Sequence, residues 1–181
     1  KNVPLDQWKT YLKWQLVRSQ ADSLPSQFGD ENFNFYGKVL GGAEKQLPLW
    51  NRCARAVDAD LGEALGQFYV KEAFGGNAKE RTLKMVRDIE NAMEADIKSL
   101  DWMTDETKKM ALEKLHAIAN KIGYPDQWRD YSALQIKRGD RLGNSLRSNS
   151  FERRRQLAKI GGPVDKSEWG MTPPTVNAYY N

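Results

Sequence analysis

The chain has 181 residues, of which 40% are hydrophobic and 29% charged, a composition typical of a soluble globular protein. Its net charge of +4 is uneven, because residues 137–160 hold eight basic and only two acidic side chains. A single cysteine, Cys53, excludes an internal disulfide, and a single histidine, His116, leaves little for a zinc site or a Ser-His-Asp triad within the chain. Self-contained catalysis is therefore not expected.

Hydrophobic spacing predicts a first helix close to the start of the chain. Its apolar stripe recurs at steps of three and four residues and consists of Leu5, Trp8, Leu12 and Leu16. Pro25 interrupts this pattern, and a second, shorter helix is predicted over residues 27–40. A longer helix is predicted over residues 48–74, where glycines follow.

Cys53 lies on the apolar stripe of this longer helix. A lone cysteine in such a position most simply acts as a small hydrophobic side chain. We therefore expect Cys53 to be buried.

Two further helices are predicted from their first turns. Asn77 is followed three residues later by Glu80, which resembles a capping box and predicts a helix over residues 77–101. Thr104 is predicted as the N-cap of the next helix, over residues 104–121.

Glu113 and His116 share one face of this last helix, at the spacing found in half of a di-iron carboxylate site. Such a site needs a second copy of the motif with its own histidine, and the sequence has none. The two residues are therefore interpreted as a polar surface pair.

A basic helix is predicted over residues 143–160, within the basic segment 137–160. Such a segment either binds an anionic partner such as RNA or forms a solvated face with charges paired inside the protein. Nucleic-acid modules usually place aromatic side chains among the charges, and Phe151 is the one aromatic residue in this segment. The pattern therefore favours the solvated face.

The last ten residues break the helical pattern. Pro173 and Pro174 exclude a helix, and residues 176–180 alternate as a β-strand does. On an exposed edge strand, the Asn177 amide can donate and accept hydrogen bonds while the backbone pairs with an extended peptide. An asparagine that ends a loop is the other interpretation, and the residue pattern leaves both open.

Six sequence motifs follow one another from about residue 50 onward and cover most of that part of the chain. They are LGEALGQFYV at 61–70, AFGG at 73–76, LDWM at 100–103, KIGYPD at 121–126, VDKSEW at 164–169 and VNAYYN at 176–181. In this order they resemble the neprilysin/endothelin-converting-enzyme family of zinc metalloendopeptidases, and the agreement of several motifs in order makes the resemblance specific.

The resemblance implies a mainly α fold, a multi-helix fragment of a two-lobed zincin-type metallopeptidase that ends in a β-strand at the edge of the cleft. Residues 1–171 would form a helical region shared between the two lobes. Residues 172–181 would form a Pro-Pro turn and the substrate-binding edge strand of the catalytic lobe. By similarity, Asn177 would hold the substrate backbone through its amide, Ala178 through its carbonyl, and Tyr179 would line a neighbouring subsite.

The family's His-Glu-x-x-His zinc motif is not in this chain and does not map onto His116. The resemblance therefore implies the central part of a zinc-dependent endopeptidase, with zinc held by residues outside the chain. No catalytic or metal-binding residue is expected here, and residues 1–181 alone are expected to be inactive.

The expected partners are peptide substrates and the remaining portions of the same peptidase, without nucleic acid and without a membrane segment in this chain. The resemblance also implies an extracytoplasmic location. The alternative function is a non-catalytic helical module that binds an anionic partner through residues 137–160.

The resemblance leaves two roles open for Cys53. It would form a disulfide with sequence upstream, as in some members of the family, or it would remain a buried thiol.

Overall fold

The computed structural model describes residues 3–180, and most of this range is helical. The structure also has a short 3₁₀ helix at Ala21–Ser23 and a π-helix at Phe33–Leu40. The six α-helices within residues 3–180 are α1 (Leu5–Ser19), α2 (Ser26–Asn32), α3 (Leu49–Ala73), α4 (Ala78–Ser99), α5 (Asp105–His116) and α6 (Arg141–Leu157). The mainly α fold class is thereby confirmed. Residues 3–180 form no β-strand, so the strand at 176–180 stays a prediction.

The two predicted helix caps have different outcomes. Thr104 caps α5, because its Oγ1 accepts the backbone N–H of Thr107 at 3.2 Å, as predicted. Asn77 precedes α4 but its side chain makes no capping hydrogen bond. The predicted capping box is wrong, because Asn77 has φ −97° and ψ 21° rather than the extended conformation usual for an N-cap.

The bounds of the last two helices also differ from the prediction. Helix α5 ends at His116, before residue 121, and Gly123 further along has a positive φ of 75°. Helix α6 begins at Arg141, where Asp140 accepts the backbone N–H of Gly143 at 3.0 Å. A side-chain cap outside the predicted range thus moves the start of α6 toward the N-terminus.

The chain divides into two compact units, and one boundary lies inside α3. The first unit contains residues up to Asp60 and Tyr131–Ile160, and the second contains Leu61–Asp130 and residues from Gly161 onward. Leu61 has φ −139° and ψ 36°, so α3 is kinked where one unit ends and the next begins. The predicted division between residues 171 and 172 concerns the two lobes of the family fold. The two compact units do not test it, so it stays a prediction.

In the first unit, α6 is held to the end of the first half of α3. The Ser148 hydroxyl donates to the Asp60 carbonyl oxygen at 2.5 Å, and the Ser145 hydroxyl donates to Asp60 Oδ1 at 3.3 Å. Burial raises the pKa of the Asp60 carboxyl, an effect opposed by the Ser145 hydrogen bond and the Arg141 charge. These polar contacts secure the C-terminal helix of the unit.

In the second unit, Glu63 joins the second half of α3 to the loop after α5. This carboxylate is 7% exposed and accepts the backbone N–H of Arg129 at 2.7 Å. Its other oxygen lies 3.1 Å from Arg129 Nη2. A buried carboxylate is costly unless it is paired and hydrogen-bonded, and Arg129 supplies both.

An aromatic cluster also holds the loop after α5. The ring of Phe74 meets Tyr124 edge-on at 5.7 Å between centroids, and Tyr124 stacks on Trp128 at 6.1 Å. Lys79 Nζ donates to the Tyr124 carbonyl at 2.9 Å and lies 4.2 Å from the centre of its ring. Loop 121–130 is therefore tied to α3 and α4 by rings and charges together.

Several predicted apolar stripes are exposed in this structure. Trp50 and Phe68 on α3 are each more than 70% exposed, and Cys53 is exposed as well. The predicted burial of Cys53 is wrong for the described chain, because nothing in residues 3–180 covers that face of α3. Among these residues there is also no helix long and apolar enough to cross a membrane.

Candidate substrate-backbone site

The site is built on a tight turn at residues 172–175. The Thr175 N–H donates to the Thr172 carbonyl at 2.9 Å, and the two threonine hydroxyls lie 3.0 Å apart. Pro173 and Pro174 occupy the centre of the turn, where their rings fix φ. The sequence Thr-Pro-Pro-Thr therefore gives the following segment a rigid base.

Helix α3 approaches this turn closely at Gly66. A Cβ on Gly66 would lie 2.7 Å from Pro173 Cδ, 2.8 Å from Pro173 Cγ and 3.3 Å from Trp128 Cζ3. Gly66 is buried, and the proline and indole rings beside it are rigid. Only glycine fits at this position without displacing the turn or the helix.

Tyr179 closes a loop back onto Gly170. The Gly170 N–H donates to the Tyr179 hydroxyl at 2.9 Å, and the edge of the tyrosine ring lies beside Gly170. Tyr180 is held by a second contact, because Lys114 Nζ on α5 lies 5.8 Å from the centre of its ring. The C-terminal segment is thus attached beyond the turn as well.

Asn177 and Ala178 lie between these attachments and are both exposed. The Ala178 N–H donates to Asn177 Oδ1 at 2.8 Å, which fixes the orientation of the amide. The three residues predicted to form the substrate site, Asn177, Ala178 and Tyr179, are thus consecutive, exposed and attached at both ends. Their contact with a substrate stays a prediction.

The segment before the turn is held to the same unit. Lys121 Nζ donates to the Glu168 carbonyl at 2.5 Å, across 47 residues of sequence. Asp165 accepts the N–H of Ser167 at 2.8 Å, which closes a local turn before Trp169. Residues 165–180 therefore contact α3, α5 and the loop after α5 at several points.

No side-chain cluster in residues 3–180 fits a zinc ion. The structure contains no group of three or more His, Cys, Asp and Glu side chains arranged to hold a metal in this range. His116 pairs with Glu94 instead, at 3.0 Å, and Lys98 also pairs with that carboxylate. The hydrogen bond from Lys98 has the largest effect on the pKa of the Glu94 carboxyl, and together with the His116 hydrogen bond it lowers that pKa. His116 therefore belongs to a surface group of hydrogen-bonded polar side chains on α4 and α5.

The basic segment 137–160 uses part of its charge internally. Arg147 contacts Asp140 at 3.0 Å and donates to the Gln135 carbonyl at 2.9 Å. This arginine and the Gly143 N–H lower the pKa of the Asp140 carboxyl. Arg155 donates to the two carboxylate oxygens of Glu152 through Nε, at 2.8 Å, and Nη2, at 2.7 Å. Such pairs are typical of a solvated helix face.

Sequence reasoning missed the residues that hold the site in place. Gly66, Trp128 and Gly170 were not assigned any contact with the C-terminal segment. One signal was available, because a glycine inside a long helix is costly and so indicates a close approach by another element. Nothing in the local sequence indicates that the approaching element is Pro173, which lies 107 residues further along the chain.

Comparison with known proteins identifies the family. The model of Peptidase family M13 matches residues 1–125, more than half of the chain. The chain therefore belongs to peptidase family M13, which confirms the resemblance drawn from the sequence motifs.

Two curated relatives illustrate the match. An endothelin-converting enzyme homolog from Locusta migratoria is 38% identical over 177 residues, which cover 94% of this chain and 24% of the relative. Human endothelin-converting enzyme 1 is 33% identical over 178 residues, covering 94% of this chain and 23% of the relative. The chain thus spans about a quarter of the length of these relatives.

A solved structure shares the fold. The crystal structure of Mycobacterium tuberculosis zinc metalloprotease Zmp1 in complex with an inhibitor aligns with a TM-score of 0.89 and 43% identity. The alignment covers 99% of this chain and 27% of the Zmp1 chain. The helical structure described above is therefore one portion of a zinc metalloprotease fold.

Proposed function

We propose that this chain is part of a zinc-dependent endopeptidase and supplies helical scaffold together with contacts to the backbone of peptide substrates. Asn177 contacts the substrate backbone through its side-chain amide, Ala178 through its carbonyl, and Tyr179 lines a neighbouring subsite. The zinc and the groups that activate water are held by residues outside this chain. Membership of peptidase family M13 supports the activity, and the Asn-Ala-Tyr segment supports the roles.

The single observation that carries the substrate role is the exposure of Asn177 and Ala178 on a segment attached at both of its ends. Binding by backbone contacts is sequence-tolerant, because every peptide offers the same N–H and C=O groups. Holding those contacts rigidly reduces the entropy that substrate binding loses. An exposed but anchored segment meets both requirements.

The remaining portions of the same peptidase are the other proposed partner. Exposed apolar side chains such as Trp50 and Phe68 support this proposal, because large apolar surfaces are normally covered by protein. We also propose an extracytoplasmic location for the protein, and membership of peptidase family M13 supports this proposal.

The test is Asn177→Ala in the full-length protein, assayed on a quenched fluorescent peptide. Loss of the two hydrogen bonds that we propose between the Asn177 amide and the substrate backbone is expected to lower kcat/KM by roughly tenfold to a hundredfold. Zinc content, measured by atomic absorption, is expected to stay the same, because Asn177 is not a ligand.

The matched control is Asn91→Ala, at an exposed position on α4 that is assigned no role in binding. This variant is expected to keep wild-type kcat/KM. If Asn177→Ala also kept wild-type kcat/KM on several peptides, the substrate role of the segment would be overturned.

A further inference from the structure

The hydroxyl of Tyr179 has a role that lining a subsite does not require. The ring of a tyrosine or a phenylalanine can form a subsite wall equally well, since both offer the same apolar face. In this structure the hydroxyl is engaged, as it accepts the Gly170 N–H at 2.9 Å. The bond spans nine residues and closes the loop that carries Asn177 and Ala178.

The other end of this loop is already rigid. Pro173 rests against Gly66 at a distance that leaves no space for a Cβ, and the Thr175 N–H bond to Thr172 completes the turn. Residues 176–178 follow this base with no described backbone hydrogen bond to another element. Their position relative to the turn is therefore set at the far end, by Tyr179 and its neighbour Tyr180.

Of these two attachments, the Tyr179 bond is the more specific. The Lys114–Tyr180 contact is a cation–π interaction at 5.8 Å, near the limit for such contacts, and its tyrosine is 72% exposed. The Tyr179 hydroxyl bond has ordinary length and a defined direction, since its donor is a backbone N–H. It fixes the distance between Gly170 and the end of the segment that carries Asn177 and Ala178.

We infer that Tyr179 is a positioning residue: its hydroxyl, bonded to the Gly170 N–H, sets the register in which Asn177 and Ala178 face the substrate backbone. This inference rests on the proposed function. Tyr179 acts through Asn177 and Ala178, so without the Asn177 amide its hydroxyl contributes to turnover only through the Ala178 contact. The ring remains available to form a wall of the neighbouring subsite.

The experiment is a double-mutant cycle in the full-length protein with Tyr179→Phe and Asn177→Ala. Tyr179→Phe keeps the ring and removes the hydroxyl, and we expect kcat/KM to fall about twofold to tenfold, chiefly through KM. In the Asn177→Ala background the same substitution is expected to lower kcat/KM by a smaller factor than in the wild-type background, because only the Ala178 contact remains for the hydroxyl to position and coupled residues are not additive.

Tyr69→Phe is the matched control, since Tyr69 lies on α3, is 38% exposed and has no assigned role. Equal losses from Tyr179→Phe in both backgrounds, or no loss in the wild-type background, would overturn the inference. Failure of the proposed function has a different result, because kcat/KM would then be unchanged in the Asn177→Ala single variant. A fall in kcat/KM for Tyr179→Phe that disappears when the assay is run well below the melting temperature of the variant would assign the hydroxyl to stability and also overturn the inference.

Discussion

Gly66 and Pro173 are packed so closely that a side-chain carbon on Gly66 would lie 2.7 Å from the proline ring. The two residues come from a helix and from a turn that lie 107 positions apart in the sequence. The contact fixes the base of the segment that carries Asn177 and Ala178. Substitution at Gly66 thus tests how far the placement of that segment matters.

Gly66→Ala is expected to destabilise the protein and to lower its activity. Overpacking by the added methyl group lowers the free energy of unfolding by about 1–3 kcal/mol. This loss exceeds the stability that alanine typically gains over glycine inside a helix, which is roughly 0.5–1 kcal/mol. Thermal melting and peptide hydrolysis of the full-length protein measure both effects. Gly75→Ala is the control, because no atom lies within 4 Å of a Cβ there and φ is not positive.

Glu63→Ala is expected to loosen loop 121–130. Removing the carboxylate takes away the oxygens that accept the Arg129 N–H and pair with its guanidinium, and breaking a buried pair in this way costs about 3 kcal/mol. Hydrogen exchange followed by mass spectrometry should show faster exchange in peptides that contain Arg129. Glu72→Ala, at an exposed position on α3, should leave exchange in that loop unchanged.

Glu94 should make the second unit sensitive to acid. Lys98 and His116 lower the folded pKa of Glu94 below its unfolded value. The ionised carboxylate therefore contributes stability above the unfolded pKa, about 4.3 for glutamate, and this contribution is lost as the pH falls through the folded pKa. The free energy of unfolding, measured with urea between about pH 6 and pH 3, should therefore fall less steeply with decreasing pH for Glu94→Gln than for the wild type. A loss identical to that of the wild type would contradict the assignment.

The purified chain alone is expected to hydrolyse no peptide, with or without added zinc. The physical reason is that no cluster of metal-ligating side chains occurs in residues 3–180. The measurement is hydrolysis of a fluorogenic peptide together with bound zinc after dialysis, and the full-length protein is the positive control. Zinc-dependent cleavage by the chain alone, abolished by a chelator, would contradict the prediction and show that residues 1–181 hold a catalytic zinc ion.

Much of the helical structure could be predicted from hydrophobic spacing and caps. Thr104 was assigned correctly because an N-cap is a local property of residues three positions apart. Burial could not be predicted in the same way, as Cys53 demonstrates, since an apolar stripe identifies a face but not what covers that face. Asn77 failed as a cap because its backbone conformation depends on the turn before α4.

The residues of the candidate site show the same difference between local and tertiary information. Asn177, Ala178 and Tyr179 could be proposed from one short motif, because the family resemblance is local in sequence. Their supports, Gly66 and Gly170, could not be proposed, because these contacts depend on the tertiary approach of separate segments. A predicted strand at 176–180 requires a pairing partner, which residues 3–180 do not supply.

The kink at Leu61 has a consequence for the cooperativity of α3. Helical hydrogen bonds propagate from turn to turn, and a residue with non-helical φ and ψ interrupts that propagation. The two halves of α3, one on each side of the break, are each too short to be more than marginally stable in isolation. Each half therefore takes its stability from its own compact unit, and α3 should unfold as parts of two separate foldons rather than as one helix.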